Sequence, residues 1–69
     1  MSASLSPRPV RFVTAKLFEQ LTGYTEKAVE HKRAEGVWRE GREYRRAPDG
    51  RILIDLEGFE AWVVKGAKL

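Results

Sequence analysis

Cysteine is missing from this sequence, and histidine and methionine each occur once. Without cysteine there is neither a disulfide framework nor a thiolate metal site, which fits a cytoplasmic setting. A lone histidine with no carboxylates at ligand spacing argues against a metal centre, and no carboxylate pair suggests general acid–base chemistry. No glycine-rich phosphate loop is present either, since Gly36, Gly41 and Gly50 stand apart in turn-like surroundings. The expectation is a protein that is not an enzyme and uses no cofactor and no metal. Apolar runs are short, so no segment reads as a membrane span, and no membrane partner is expected. The first nine residues carry two of the three prolines and no apolar stretch of signal-peptide type. Residues 1–9 read as a flexible lead-in, residues 10–65 as the one domain, and residues 66–69 as a short basic tail.

With 69 residues, 42% hydrophobic and 33% charged, the chain has the balance of a small globular domain. The net charge of +3 is modest, but its distribution is uneven. Arg39, Arg42, Arg45, Arg46 and Arg51 outnumber Glu40, Glu43 and Asp49, whereas Asp55, Glu57 and Glu60 follow with no base among them. A basic segment followed by an acidic one implies different orientations toward a polyanion.

Three helix starts share one local pattern: an apolar residue, a polar cap, and an apolar residue four places after the cap. The sets are Val13-Thr14-Phe18, Tyr24-Thr25-Val29 and Ile54-Asp55-Phe59. The cap oxygen accepts from an orphan amide while the flanking apolar pair fixes the angle at which the chain enters the helix. Helices are expected over 15–22, 26–35 and 56–65, the first ended by Gly23. Leu17, Phe18 and Leu21 form the apolar side of the first, and Leu56, Phe59, Trp62 and Val63 that of the third. Val10, Phe12 and Val13 suit a short extended segment. Ala47-Pro48-Asp49-Gly50 is a turn sequence between two extended stretches, so Arg42 to Ile54 reads as a two-stranded β-hairpin. Trp38 and Tyr44 would pack beneath it.

The second helix is poor in apolar residues. Lys27, Glu30, His31 and Ala34 share one stripe, and Val29 is its one committed core residue, with Lys32 covering the core by its stem. A mixed-charge face is usually only solvated, and hairpin arginines often protect an edge from strand pairing. The order of tight turn, polar helix and basic hairpin nevertheless suits DNA reading. Lys27 can reach guanine acceptors, Glu30 a cytosine amine, and His31 a base edge or phosphate. Ala34 lets the helix seat deeply. Thr25 and the first-turn amides offer a phosphate seat, and Arg45, Arg46 and Arg51 suit the backbone or a narrow minor groove.

These segments together resemble the small phage and prophage excisionases, winged-helix proteins related to the MerR-type DNA-binding domain. Thr22 to Val29, Gly36-Val37-Trp38, Gly41 to Arg45, Ala47 to Ile54 and Gly58 to Val63 carry the resemblance. It implies an α+β winged helix-turn-helix of three short helices and a two-stranded hairpin wing. The implied function is a DNA-bending accessory factor that promotes prophage excision by a tyrosine recombinase in the cytoplasm of a bacterial host, at its nucleoid. Thr25, Glu26, Lys27, Glu30, His31, Arg33 and Ala34 would then read the major groove, and Arg42, Arg45, Arg46 and Arg51 would be wing contacts. The implied partners are double-stranded attachment-site DNA, the integrase and neighbouring copies on DNA. Relatives place large apolar residues where Lys32 and Arg33 stand, which would leave Arg33 free for a phosphate. No heptad seam demands a dimer, so the free chain is expected to be a monomer. A transcriptional regulator, or a protein-interaction module on the same fold, are the alternative readings.

Overall fold

In a computed structural model, which describes residues 10–66, six elements follow one another. They are β1 (Phe12–Thr14), α1 (Ala15–Thr22), α2 (Glu26–Ala34), β2 (Tyr44–Arg46), β3 (Ile52–Asp55) and α3 (Leu56–Gly66). The expected lead-in and residues 67–69 of the expected tail lie outside the described residues.

All three helices begin at the polar caps identified in the sequence. Thr14 Oγ1 accepts from the Leu17 amide at 3.1 Å, and Thr25 Oγ1 from the Ala28 amide at 3.0 Å. Asp55 Oδ1 accepts from the amides of Glu57 and Gly58 at 3.0 and 3.3 Å. Gly23 ends α1 in the left-handed region, at φ 87°, and donates to the Glu19 carbonyl. Glu35 caps α2 instead of extending it, and α3 includes Gly66.

The sheet corrects the two-stranded expectation. It has three antiparallel strands in the order β1-β3-β2. Val13 faces Ile54 across one side of β3, and Tyr44 faces Ile54 across the other. The cause is the position of β3, whose Ile54 is fully buried. An apolar strand left with an open edge would expose a row of unpaired amides and carbonyls, and Phe12–Thr14 covers it.

The core is Val13, Phe18, Val29, Trp38 and Ile54, with Tyr24, Tyr44, Leu56, Phe59 and Trp62 packed around it. Aromatic edges and faces hold it together: Phe18 meets Phe59 at 4.9 Å and Trp38 meets Trp62 at 5.5 Å, both nearly perpendicular. Leu17 and Leu21, expected inside, are 41% and 59% exposed, and Val63 is 41% exposed. α1 is only 8 residues long, and Phe18 is its one buried residue.

Two buried acids fix the connections. Asp55, 2% exposed, receives Arg11 Nε at 3.1 Å as well as the α3 amides, tying the segment before β1 to the start of α3. Burial pushes its carboxyl up. The Arg11 hydrogen bond, the Gly58 amide, the Arg11 charge and the Glu57 amide outweigh that and hold it below the usual carboxylate value. Glu43, also 2% exposed, accepts from the Arg39 amide at 2.9 Å and Arg42 Nε at 2.8 Å, closing the loop before β2. That loop lies so close to α3 that a Cβ on Gly58 would overlap the Arg42 carbonyl.

Candidate nucleic-acid interface

The turn between α1 and α2 is held by short-range bonds. Thr22 Oγ1 donates to the Phe18 carbonyl at 2.8 Å and accepts from the Tyr24 amide at 3.2 Å. Glu19 reaches across from α1, and its Oε1 accepts from the Glu26 amide at 3.2 Å. The amino end of α2 is therefore partly served from within: Glu19 takes one first-turn amide and Thr25 another. Less of it is open to a phosphate than the sequence suggested. Glu19 carried no signal of this role beyond its position one turn before Gly23.

From that anchored end, α2 presents Glu26, Lys27, Glu30, His31 and Ala34 to solvent. Val29 alone is buried from this helix, at 3%. Lys32 lies as expected over the core, with Nζ 5.5 Å from the Tyr24 ring and 5.4 Å from the Trp62 ring. Arg33 is not free. Its Cζ stands 5.1 Å from the Tyr44 ring centroid, and its Nε is enclosed with no partner among the described residues. Lys32 and Arg33 thus cover aromatic rings with their stems and cationic heads. Tyr44 was expected as a packing residue, but its contact with Arg33 spans distant sequence positions and left no local signal.

The hairpin carries exposed arginines on both faces. Register places Arg45 opposite Leu53 and Arg46 opposite Ile52, and neighbours along a strand point to opposite sides. Arg45 donates to the Gly41 carbonyl at 3.2 Å and Arg46 to the Gly50 carbonyl at 3.3 Å. Arg51, just after the turn, has its side chain 74% exposed and 3.8 Å from Asp49. A groove of about 360 Å³ runs between α2 and this hairpin, lined by Glu26, Lys27, Glu30 and Arg33 on one side and Ile52 on the other.

Arg42 stands apart from these residues. It precedes β2, pairs with Glu43, donates to the Val37 carbonyl at 3.2 Å, and lines a second groove of about 530 Å³ with Trp62 and Lys65 of α3. The first groove sets Glu26, Lys27, Glu30 and Arg33 of α2 against Ile52 of the hairpin, while Arg45, Arg46 and Arg51 do not line it and Arg42 lines the other groove. No helix among the described residues is long and apolar enough to cross a membrane.

An exposed polar helix lies beside an arginine-bearing hairpin on a small α+β scaffold. Residues 4–67 match the family described as "Putative excisionase (DUF1233)", and the chain belongs to that family. Membership makes it a small DNA-binding, excision-related protein. No curated protein and no solved structure matches the chain.

Proposed function

We propose that the chain is a winged-helix excisionase. In this reading α2 enters the major groove, and the β2–β3 hairpin is the wing that reaches the neighbouring minor groove. Glu26, Lys27, Glu30 and His31 face the base edges, Ala34 allows close approach, and Thr25 at the amino end of α2 seats a phosphate. Arg45, Arg46 and Arg51 follow the backbone of the wing-side groove, where the potential is most negative.

The DNA site lies at the ends of an integrated phage genome. Binding there bends the duplex and favours excision by a tyrosine recombinase, with neighbouring copies and the integrase as partners. The protein performs no covalent chemistry itself.

The observation that carries this reading is the α2 stripe, kept exposed on a helix that buries one large side chain, alongside the arginines of the adjoining hairpin. A helix so poor in buried area contributes little to stability, so its outward face is better explained by contact than by packing. A module of this size covers on the order of 600–1,000 Å² of protein surface on DNA. The test is a gel-shift titration at two salt concentrations, with DNA flanking the gene's own prophage ends and a scrambled duplex of equal length. Discrete stepwise complexes on the flanking DNA alone support an excisionase. Equal smearing on both duplexes that vanishes with salt leaves only a basic surface and ends the proposal.

A further inference from the structure

Arg33 projects from α2 toward the hairpin and lines the groove between them. Its guanidinium carbon lies 5.1 Å from the ring centroid of Tyr44, whose backbone pairs with Ile54 in the centre of the sheet and whose ring packs on the core. Arg11, Arg42 and Arg51 each have a carboxylate within salt-bridge distance, whereas none lies within that distance of Arg33 among the described residues. Its Nε is enclosed, which leaves the Nη groups as the donors able to reach outward.

A helix in one groove and a hairpin in the next must straddle the sugar-phosphate strand between them. With α2 and the hairpin so placed, the Arg33–Tyr44 contact, which joins α2 to the hairpin, falls at that crossing. A guanidinium held against a ring keeps its planar fork in one orientation, and that fork matches a phosphate with two parallel donors. We infer that Tyr44 is a positioning residue that holds Arg33 as a clamp for the phosphate strand separating the two grooves. This inference rests on the DNA-reading assignment and adds to it a residue, Tyr44, that makes no DNA contact of its own.

The experiment measures binding of the full chain to two labelled duplexes, the prophage-end DNA and a scrambled control, by fluorescence anisotropy across a salt series. Arg33→Gln weakens binding roughly tenfold on both duplexes alike, the scale of losing a charge-assisted contact. It also makes the log–log salt slope shallower by about one, because one phosphate is no longer neutralised. Arg33→Lys falls nearly as far, since it keeps the charge without the fork. Tyr44→Phe behaves as the parent, whereas Tyr44→Leu reproduces the Arg33→Gln loss, and the double variant is no weaker than Arg33→Gln alone.

Full parental affinity and slope in Arg33→Lys overturn the clamp, because charge alone would then suffice. So does a loss in Arg33→Gln confined to the prophage-end duplex, which would make it a base reader. Parental affinity in Tyr44→Leu overturns the positioning role; where that variant folds poorly, Tyr44→Met, which fills the space without a ring face, is read in its place, while the Arg33 variants decide the clamp itself. Arg46→Ala separates the two levels of the argument. If it weakens binding while Arg33→Gln does not, the clamp fails and the DNA reading stands. If the parent binds neither duplex, both fall.

Discussion

Arg11 and Asp55 form an ion pair at 3.1 Å across the strand–helix junction that starts α3, with the acid buried and the base half exposed. The same carboxylate caps α3, so one side chain serves the sheet, the helix and the segment entering β1. Because its folded-state pKa is depressed, its stabilisation is present above the unfolded value, about 3.9, and is lost as pH falls through the folded value. The thermal midpoint should therefore drop on acidification below about pH 4. Asp55→Asn should unfold at lower temperature than the parent near neutrality and lose this part of the acid dependence. Thermal melts followed by circular dichroism over an acid pH series check it, and an unchanged acid limb in the variant would remove Asp55 from the account.

Gly58→Ala should destabilise the domain although alanine is the better helix former by about 1 kcal/mol. The added methyl meets backbone rather than a yielding side chain: the Arg42 carbonyl oxygen directly, the Arg42 carbonyl carbon at 2.8 Å and the Glu43 Cα at 3.0 Å. Overpacking of this kind costs about 1–3 kcal/mol. Urea unfolding reads the sign, and a stabilised variant would mean that the loop before β2 can move away from α3.

Lys32→Met should cost only the cation–π part, about 0.5–1 kcal/mol, because the straight stem continues to cover Tyr24 and Trp62. Lys32→Ala uncovers both rings and should cost about 1 kcal/mol or somewhat more, of which the cation–π part is about 0.5–1 kcal/mol. Equal stability of all three proteins in urea would show that Lys32 is merely solvated.

On DNA, Arg46→Ala and Arg51→Ala should weaken binding on every sequence, and the parent's log–log salt slope should be roughly −4 to −5 if about four to six phosphates are neutralised. Lys27→Ala and Glu30→Ala should instead relax preference at particular base pairs by about 1–3 kcal/mol. Competition titrations against single-base variants of the site distinguish the two patterns. Uniform loss for all four changes would take the reading role away from α2.

The helices were legible in the sequence because their signals are local. Thr14, Thr25 and Asp55 each announce a helix within a few residues, and each is a cap in the fold. β1 was visible only as an extended segment, because a three-residue strand has no periodicity and its partner lies at Leu53 to Asp55. Periodicity also overstated the core, since Leu17 and Leu21 repeat at helical spacing yet stay exposed. In the candidate interface, the exposed stripe could be counted from helical geometry. Whether Arg33 was free and on which side Arg42 lay could not, because Tyr44 and Glu43 decide those points through side-chain packing.

Two of the strand–helix junctions have no linker: β1 ends at Thr14 and α1 begins at Ala15, and β3 ends at Asp55 and α3 begins at Leu56. An insertion at either point would have nowhere to go. One extra residue turns the following helix by about 100°, which would swing Phe18 or Phe59 out of the aromatic cluster. The α1–α2 turn is tied by Thr22 and Glu19, which leaves the hairpin tip at 47–50 and the loop at 35–43 as the places between elements where chain length can change. Of these two, the tip alone can lengthen without disturbing Trp38 or Glu43, so the reach of the hairpin can vary while the helices keep their places.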